Sequence, residues 1–196
     1  MPIPPFTLDG VLPPFLGDIP ARQSSWMSPY PVSVTEVVNH FASTDERKAI
    51  LAGWLEYRRI LRGIGLTQGF QWLDGSFLED KETLRNNPPG DIDVVIFTRR
   101  PADIKSDRDW KDFIGANRSL FDHGTIKRDY KVDAYFVDLD GNSRDIVLQT
   151  RYFLLLFSHQ RDTHIWKGLL EVEQDAKNED DAALSILKSN VPEVTP

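Results

Sequence analysis

Two aspartates spaced i, i+2, Asp91 and Asp93, open the run Asp91-Ile92-Asp93-Val94-Val95-Ile96-Phe97. Its β-branched residues predict a buried strand, and alternation across a strand puts both carboxylates on one face, about 7 Å apart. Like charges so placed repel unless a cation lies between them. A hard divalent cation such as Mg²⁺ takes oxygen ligands of this kind and commonly shares them with substrate phosphates. Asp133 lies within a second predicted strand, residues 131–139, where an unpaired carboxylate is costly. If the two strands are neighbours, three carboxylates converge; otherwise Asp133 is a strand-edge acid paired with Lys131 or Arg128. Upstream, Gly75-Ser76 follows a predicted strand over 68–73. A glycine there permits close backbone approach, and free N–H groups at the start of a short helix can hold a phosphate.

Other chemistries find less support. The chain has no cysteine, which excludes disulfide scaffolds, thiol catalysis and cysteine-ligated zinc. His159 and His164 stand five apart rather than at the i, i+4 spacing of a helical zinc site, and no Gly-x-Ser-x-Gly elbow is present. Arg161 and Lys167 flank the end of an apolar helix, either within reach of a triphosphate or as a salt-bridged helix end. Lys81 and Arg85 are phosphate contacts or surface charge. Trp166 is a candidate for stacking on a base, while the tryptophans in general are expected in the core.

The elements that must position these groups follow from periodicity. Ser43 or Thr44 caps a helix whose stripe Ile50, Trp54, Tyr57, Leu61 and Ile64 is core, ended by Gly63 and Gly65. Residues 79–90 form a polar stretch with the loop signature Asn86-Asn87-Pro88-Pro89-Gly90. Residues 106–121 read as a helix, His123-Gly124 as a turn, 143–158 as a buried helix, 167–172 as a last strand and 179–189 as an acidic helix. Eight of the 13 prolines lie in residues 1–31, interspersed with apolar residues, which predicts an extended arm pressed onto the domain. The organisation expected is therefore an arm over 1–34 and one α+β domain over 35–196, a small mixed sheet flanked by helices.

Charge and length set the boundaries. The 196 residues carry 23 Lys+Arg against 30 Asp+Glu, a net charge of −7, which argues against bulk DNA binding. Residues 171–196 hold seven acids and two bases; residues 99–131 hold nine bases and six acids and remain a local anion-attracting face or a solvated charged surface. With no signal-peptide pattern and no apolar run approaching the roughly 20 residues that span a bilayer, a cytoplasmic protein without membrane contact is expected.

The motifs together resemble the polymerase-β-like nucleotidyltransferase superfamily, in its small bacterial members. The resemblance covers roughly residues 68–138: Asp74-Gly75-Ser76 for its glycine turn, Gly90-Asp91-Ile92-Asp93-Val94 for its paired acids, Val132-Asp133-Ala134 for its third acid. Two departures stand out: Asp74 replaces an apolar residue before the glycine, and Asp91 follows Ser76 only after 15 positions. The resemblance implies two Mg²⁺ ions bound by Asp91, Asp93 and Asp133, an NTP held by Gly75, Ser76 and Lys167, and transfer of a nucleoside monophosphate to a protein or RNA hydroxyl. It also implies a partner protein, as in toxin–antitoxin or defence modules. The alternative is a non-catalytic nucleotide-binding or protein-interaction module on the same fold.

Overall fold

The computed structural model describes residues 2–17, 26–161 and 163–189. Five strands, β1 (Tyr30–Pro31), β2 (Gly69–Asp74), β3 (Ile92–Thr98), β4 (Val132–Asp138) and β5 (Leu170–Glu173), form one mixed sheet in the order β1-β5-β2-β3-β4. β2 is antiparallel to β3 and β5, whereas β3 and β4 are parallel, as are β1 and β5. Among the described residues the helices are α1 (Val34–Phe41), α2 (Asp45–Gly63), α3 (Lys81–Arg85), α4 (Asp107–Ala116), α5 (His123–Tyr130), α6 (Ser143–Phe157) and α7 (Lys177–Ser189). The class is α+β with a small mixed sheet.

The two faces of the sheet are covered unequally. Alternation sends Leu73, Val94, Ile96, Val132 and Ala134 into the larger core, which α1, α2, α5 and α7 close with Val37, Trp54, Ile126 and Leu187. The opposite face carries Trp72, Val95, Phe97 and Val137 and is closed by Phe153 and Phe157 of α6. On the first face α2 is tied to the sheet by Trp54 Nε1, which donates to Gln71 Oε1 at 2.9 Å. Gly53 of α2 meets α5 so closely that a Cβ there would stand 2.0 Å from the Tyr130 carbonyl oxygen.

Three expectations are corrected. A helix, α1, precedes the first one expected; its capping box, Ser33 with Glu36, satisfies the amides at its start. His123-Gly124 is not a turn but the first turn of α5, capped by the Asp122 side chain accepting from Thr125 N. α6 is not buried throughout: Val147, Leu148, Tyr152, Leu154, Leu155 and Leu156 are exposed, while Phe153 and Phe157, one turn apart, are buried against the sheet and Ile146 packs beside them half-buried. A single helix on a narrow sheet can bury one stripe, whatever its remaining composition. The tryptophans are mostly core, as expected: Trp54, Trp72 and Trp110 are buried, while Trp26 and Trp166 are exposed.

The proline-rich start lies against the domain through buried Ile3, Val11, Leu12 and Tyr30, and Tyr30 Oη donates to the Pro13 carbonyl at 2.7 Å. Residues 18–25 of the expected arm lie outside the described residues, as do residues 190–196 at the acidic end. α7 is no detached acidic helix. Its Asp180 is buried, 2.9 Å from Arg58 Nε and also paired with Arg62.

Candidate active site

The sheet register assembles the carboxylates. β2 pairs Asp74 with Asp93 of β3, and β3 pairs Asp93 with Asp133 of β4, so three aspartates stand in one row across three strands. All three point to the α6 side, the face shared by Trp72, Val95 and Val137. Asp91, two residues before Asp93, extends the cluster beyond the start of β3. These side chains line a cleft of about 400 Å³ together with Gly75, Ser76, Glu79, Lys81, Arg85, Lys127, His159, Gln160, Arg161 and Lys167. Every residue expected at the site, Gly75, Ser76, Asp91, Asp93, Asp133 and Lys167, lines it.

Gly75 adopts φ 84°, ψ −170°, a conformation all but closed to other residues. A Cβ at this position would fall 1.9 Å from Asp93 Oδ2, so the glycine lets the turn lie directly against the carboxylate. The helix expected after it is a single 3₁₀ turn, Ser76–Leu78, followed by the five-residue α3. Asp80 N donates to the Gly10 carbonyl at 2.8 Å, which fastens this loop to the N-terminal arm.

Two lysines hold the acids, in different ways. Lys167, 5 % exposed, places Nζ 3.2 Å from the Gly75 carbonyl oxygen, 3.2 Å from Glu79 Oε1 and 3.1 Å from Asp74 Oδ1. Glu79 in turn accepts from Gln160 Nε2 at 2.8 Å. Lys127, 54 % exposed, sets Nζ 2.5 Å from Asp91 Oδ2 and 3.5 Å from Asp133 Oδ2. One turn earlier on α5, His123 Nδ1 lies 3.2 Å from Asp133 Oδ1. The partners weighed for Asp133, Lys131 and Arg128, are elsewhere: Lys131 ends α5 in the left-handed region and Arg128 pairs with Asp129.

The cations leave the acids incompletely compensated. Burial, then the charges of Asp91 and Asp133, push the Asp93 carboxyl up to about 6. Asp74 is pushed up to about 7, chiefly by burial, against the opposing pull of Lys167. Its Oδ1 is near the Lys167 charge, yet buried without a hydrogen-bond partner. Among the described residues no three His, Asp or Glu side chains form a ready-made metal cage; Lys127 stands between Asp91 and Asp133. The donor set nevertheless suits a hard cation: carboxylate oxygens only, mutually repelling, open to a cleft.

Sequence reasoning did not select Lys127, His123, Glu79 or Gln160, and noted Asp74 only as a departure. The signal for the first two was the Asp122-x-x-Thr125 cap, which turns 123–130 into a helix with His123 and Lys127 on one side. Part of the basic stretch 99–131 is compensated within the fold: Arg99 pairs with Asp140, and Arg100 with Asp107 and Asp138. Among the described residues no helix is long and apolar enough to cross a membrane.

Comparison with known proteins places this chain in one family. The model of a family of unknown function, DUF6932, matches residues 4–173, and the chain belongs to that family. No curated protein and no solved structure matches it.

Proposed function

We propose that this chain is a divalent-metal-dependent nucleotidyltransferase, moving a nucleoside monophosphate from an NTP to a hydroxyl of a protein or RNA. One observation supports the reading: Asp93 and Asp133 stand side by side in the β3–β4 register beside a glycine turn, and Asp91 lines the same cleft, whose other side chains include Lys81, Arg85 and Arg161. Carboxylates alone are a poor place for a triphosphate; carboxylates that share a cation with it are a good one.

In this reading Asp91, Asp93 and Asp133 hold Mg²⁺. The metal, when bound, lowers the pKa of the acceptor hydroxyl and neutralises the departing pyrophosphate. The chain's own residues do the rest. Gly75 brings backbone close to the carboxylates, and Ser76 offers its amide and hydroxyl to phosphate oxygens. Lys167 acts from beneath, holding the Gly75 carbonyl and Glu79 so that the turn keeps its unusual shape. Lys81, Arg85 and Arg161 offset triphosphate charge from the cleft wall. The acceptor oxygen bonds to the α-phosphorus, the bond from that phosphorus to the β-phosphate bridging oxygen breaks, and pyrophosphate leaves with the electron pair. The hydroxyl proton passes to water in the open cleft.

The test is a calorimetric titration of Mg²⁺ with each NTP, followed by incubation with α-labelled NTPs and cell lysate. Asp91→Asn and Asp93→Asn remove charge at almost constant volume. Both are expected to stay folded, to lose Mg²⁺–NTP binding and to leave lysate unlabelled. Asn variants that bind Mg²⁺–NTP as the wild type does would sink the reading. Binding without pyrophosphate release in the wild type would assign a non-catalytic nucleotide-binding role instead.

A further inference from the structure

The two lysines of the cleft are built for different tasks. Lys167 is buried and fixed by three oxygens from three residues. Lys127 has the opposite character: its backbone is fixed in a packed helix and its tip stands at the solvent-facing mouth of the cleft. α5 is clamped to α2 where Gly53 admits the Tyr130 carbonyl, and the Tyr57 and Tyr130 rings pack 5.4 Å apart. The Lys127 side chain, by contrast, is more than half exposed and makes two ion contacts, one of them at 3.5 Å. The lysine end of the pair is solvated while the carboxylates are about four-fifths shielded, so the ammonium can leave into water without leaving the cleft mouth.

Its position is the informative part. Nζ lies between Asp91 Oδ2 and Asp133 Oδ2, between the very carboxylates that a divalent cation would share. Ammonium and metal cannot both stand there, since like charges at such range repel strongly in a partly desolvated site. A metal entering the cluster must displace the ammonium, whose stem keeps it at the cleft mouth. What then lies within its reach is whatever anion accompanies the metal. Lys81, Arg85 and Arg161 already make that mouth favourable to an anion.

We propose that Lys127 is a two-position residue, the counter-ion of Asp91 and Asp133 in the metal-free protein and a phosphate ligand once a divalent cation has taken its place. The inference rests on the nucleotidyltransferase reading and adds a residue and an order of events to it. Metal alone must compete with Lys127, whereas metal arriving with a polyphosphate gives the displaced ammonium a new partner. The cleft therefore favours the metal–polyphosphate complex over the bare ion, and His123, one turn away on Asp133, keeps that carboxylate oriented through the exchange.

The test compares wild type, Lys127→Met and Lys127→Arg by calorimetric titration with two probes, Mn²⁺ alone and the Mn²⁺–tripolyphosphate complex, with melting curves as a folding control. Lys127→Met is expected to bind Mn²⁺ alone about two- to fivefold more tightly, the range set by loss of an exposed competing ion pair. It should bind the complex about tenfold more weakly, for want of a charged hydrogen bond to phosphate. Lys127→Arg, which keeps charge and reach, should follow the wild type with both probes. The reversal of sign is decisive: a fixed counter-ion would change both affinities in the same direction, and that outcome overturns the proposal. Wild type that binds both probes, with no reversal in Lys127→Met, removes this inference and leaves nucleotidyl transfer standing. Wild type that binds neither probe removes both.

Discussion

Gly75→Ala tests the geometry on which the site depends. At φ 84° and ψ −170° an alanine is strained by about 1–3 kcal/mol from the backbone alone. Its Cβ would also stand 1.9 Å from Asp93 Oδ2 and 2.9 Å from Asp93 Cγ, so the carboxylate must swing away or the turn must open. Either way the close contact between the Gly75 turn and the Asp93 carboxylate is lost. For a domain of this size 1 kcal/mol corresponds to about 2–4 °C, so the melting temperature should fall by about 3–10 °C. Urea unfolding of wild type, Gly75→Ala, Asp93→Ala and the double variant separates the two contributions. With Asp93 cut back to alanine the clash disappears and only the backbone strain remains, so the Gly75 substitution should cost less in that background, with a coupling of about 0.5–3 kcal/mol. If the proposed function holds, the single variant should also lose stabilisation by Mn²⁺ with nucleotide, because the turn and the carboxylate no longer stand together. A penalty below about 0.5 kcal/mol, or one equal in both backgrounds, would refute the close approach of turn and carboxylate.

Asp180→Asn, which strips the charge facing buried Arg58 and leaves that guanidinium uncompensated, should destabilise the fold by about 3–5 kcal/mol in chemical denaturation; an effect under 1 kcal/mol would show that α7 is only loosely docked. Trp54→Ala, which empties a fully buried site and orphans Gln71 Oε1, should cost about 3–5 kcal/mol by the same measurement. Leu155→Lys, on the outer side of α6, should change stability by no more than about 0.5 kcal/mol, and a larger loss would mean that this helix is covered in solution. The His40 imidazole is held below its ordinary value by burial and then by the Arg47 charge. The unfolded chain therefore binds its proton more readily, and this residue's contribution to stability is lost as pH falls through the ordinary value of about 6.5. Unfolding free energies at pH 7.5 and 5.5 should differ less in His40→Gln than in wild type.

Strand chemistry was the most legible part of this sequence. A β-branched run with acids at i, i+2 announces both a strand and the face its carboxylates share, and β3 has that face. That Asp93 would stand beside Asp133 was conditional, because strand order depends on long-range pairing that no local pattern encodes. Asp74 was visible yet unexplained, since its meaning comes from Lys167, 93 positions later in the chain. Lys127 was hidden by a local misreading: Gly124 suggested a turn, while the stronger signal was the cap at Asp122. α6 misled in the other direction. Its composition promised burial, but burial is set by how much sheet there is to cover, and the stripe of Ile146, Phe153 and Phe157 already covers it. Asp180 shows the same limit for charge, because an acidic helix reads as solvated until a buried arginine is found opposite it.

The register row has a consequence for which changes of length the chain can absorb. Ser76 and Asp91 are separated by 14 residues, but both ends of that stretch are held by the ladder pairing β2 with β3. Its middle, residues 83–88, is exposed. Lengthening a loop whose ends are already fixed costs only closure entropy, about 0.6 kcal/mol for each doubling. A flexible segment of about 15 residues grafted after Asn87 should therefore leave the carboxylate row intact, making this the natural port for a fluorophore or an affinity tag. One residue added within β2 or β3 has the opposite effect. It turns every side chain on one side of the insertion to the other face and takes Asp74 or Asp93 out of the row. Tolerance to insertion thus changes abruptly within a few residues, and a scanning library of single-residue and long inserts across 68–98 would trace that border.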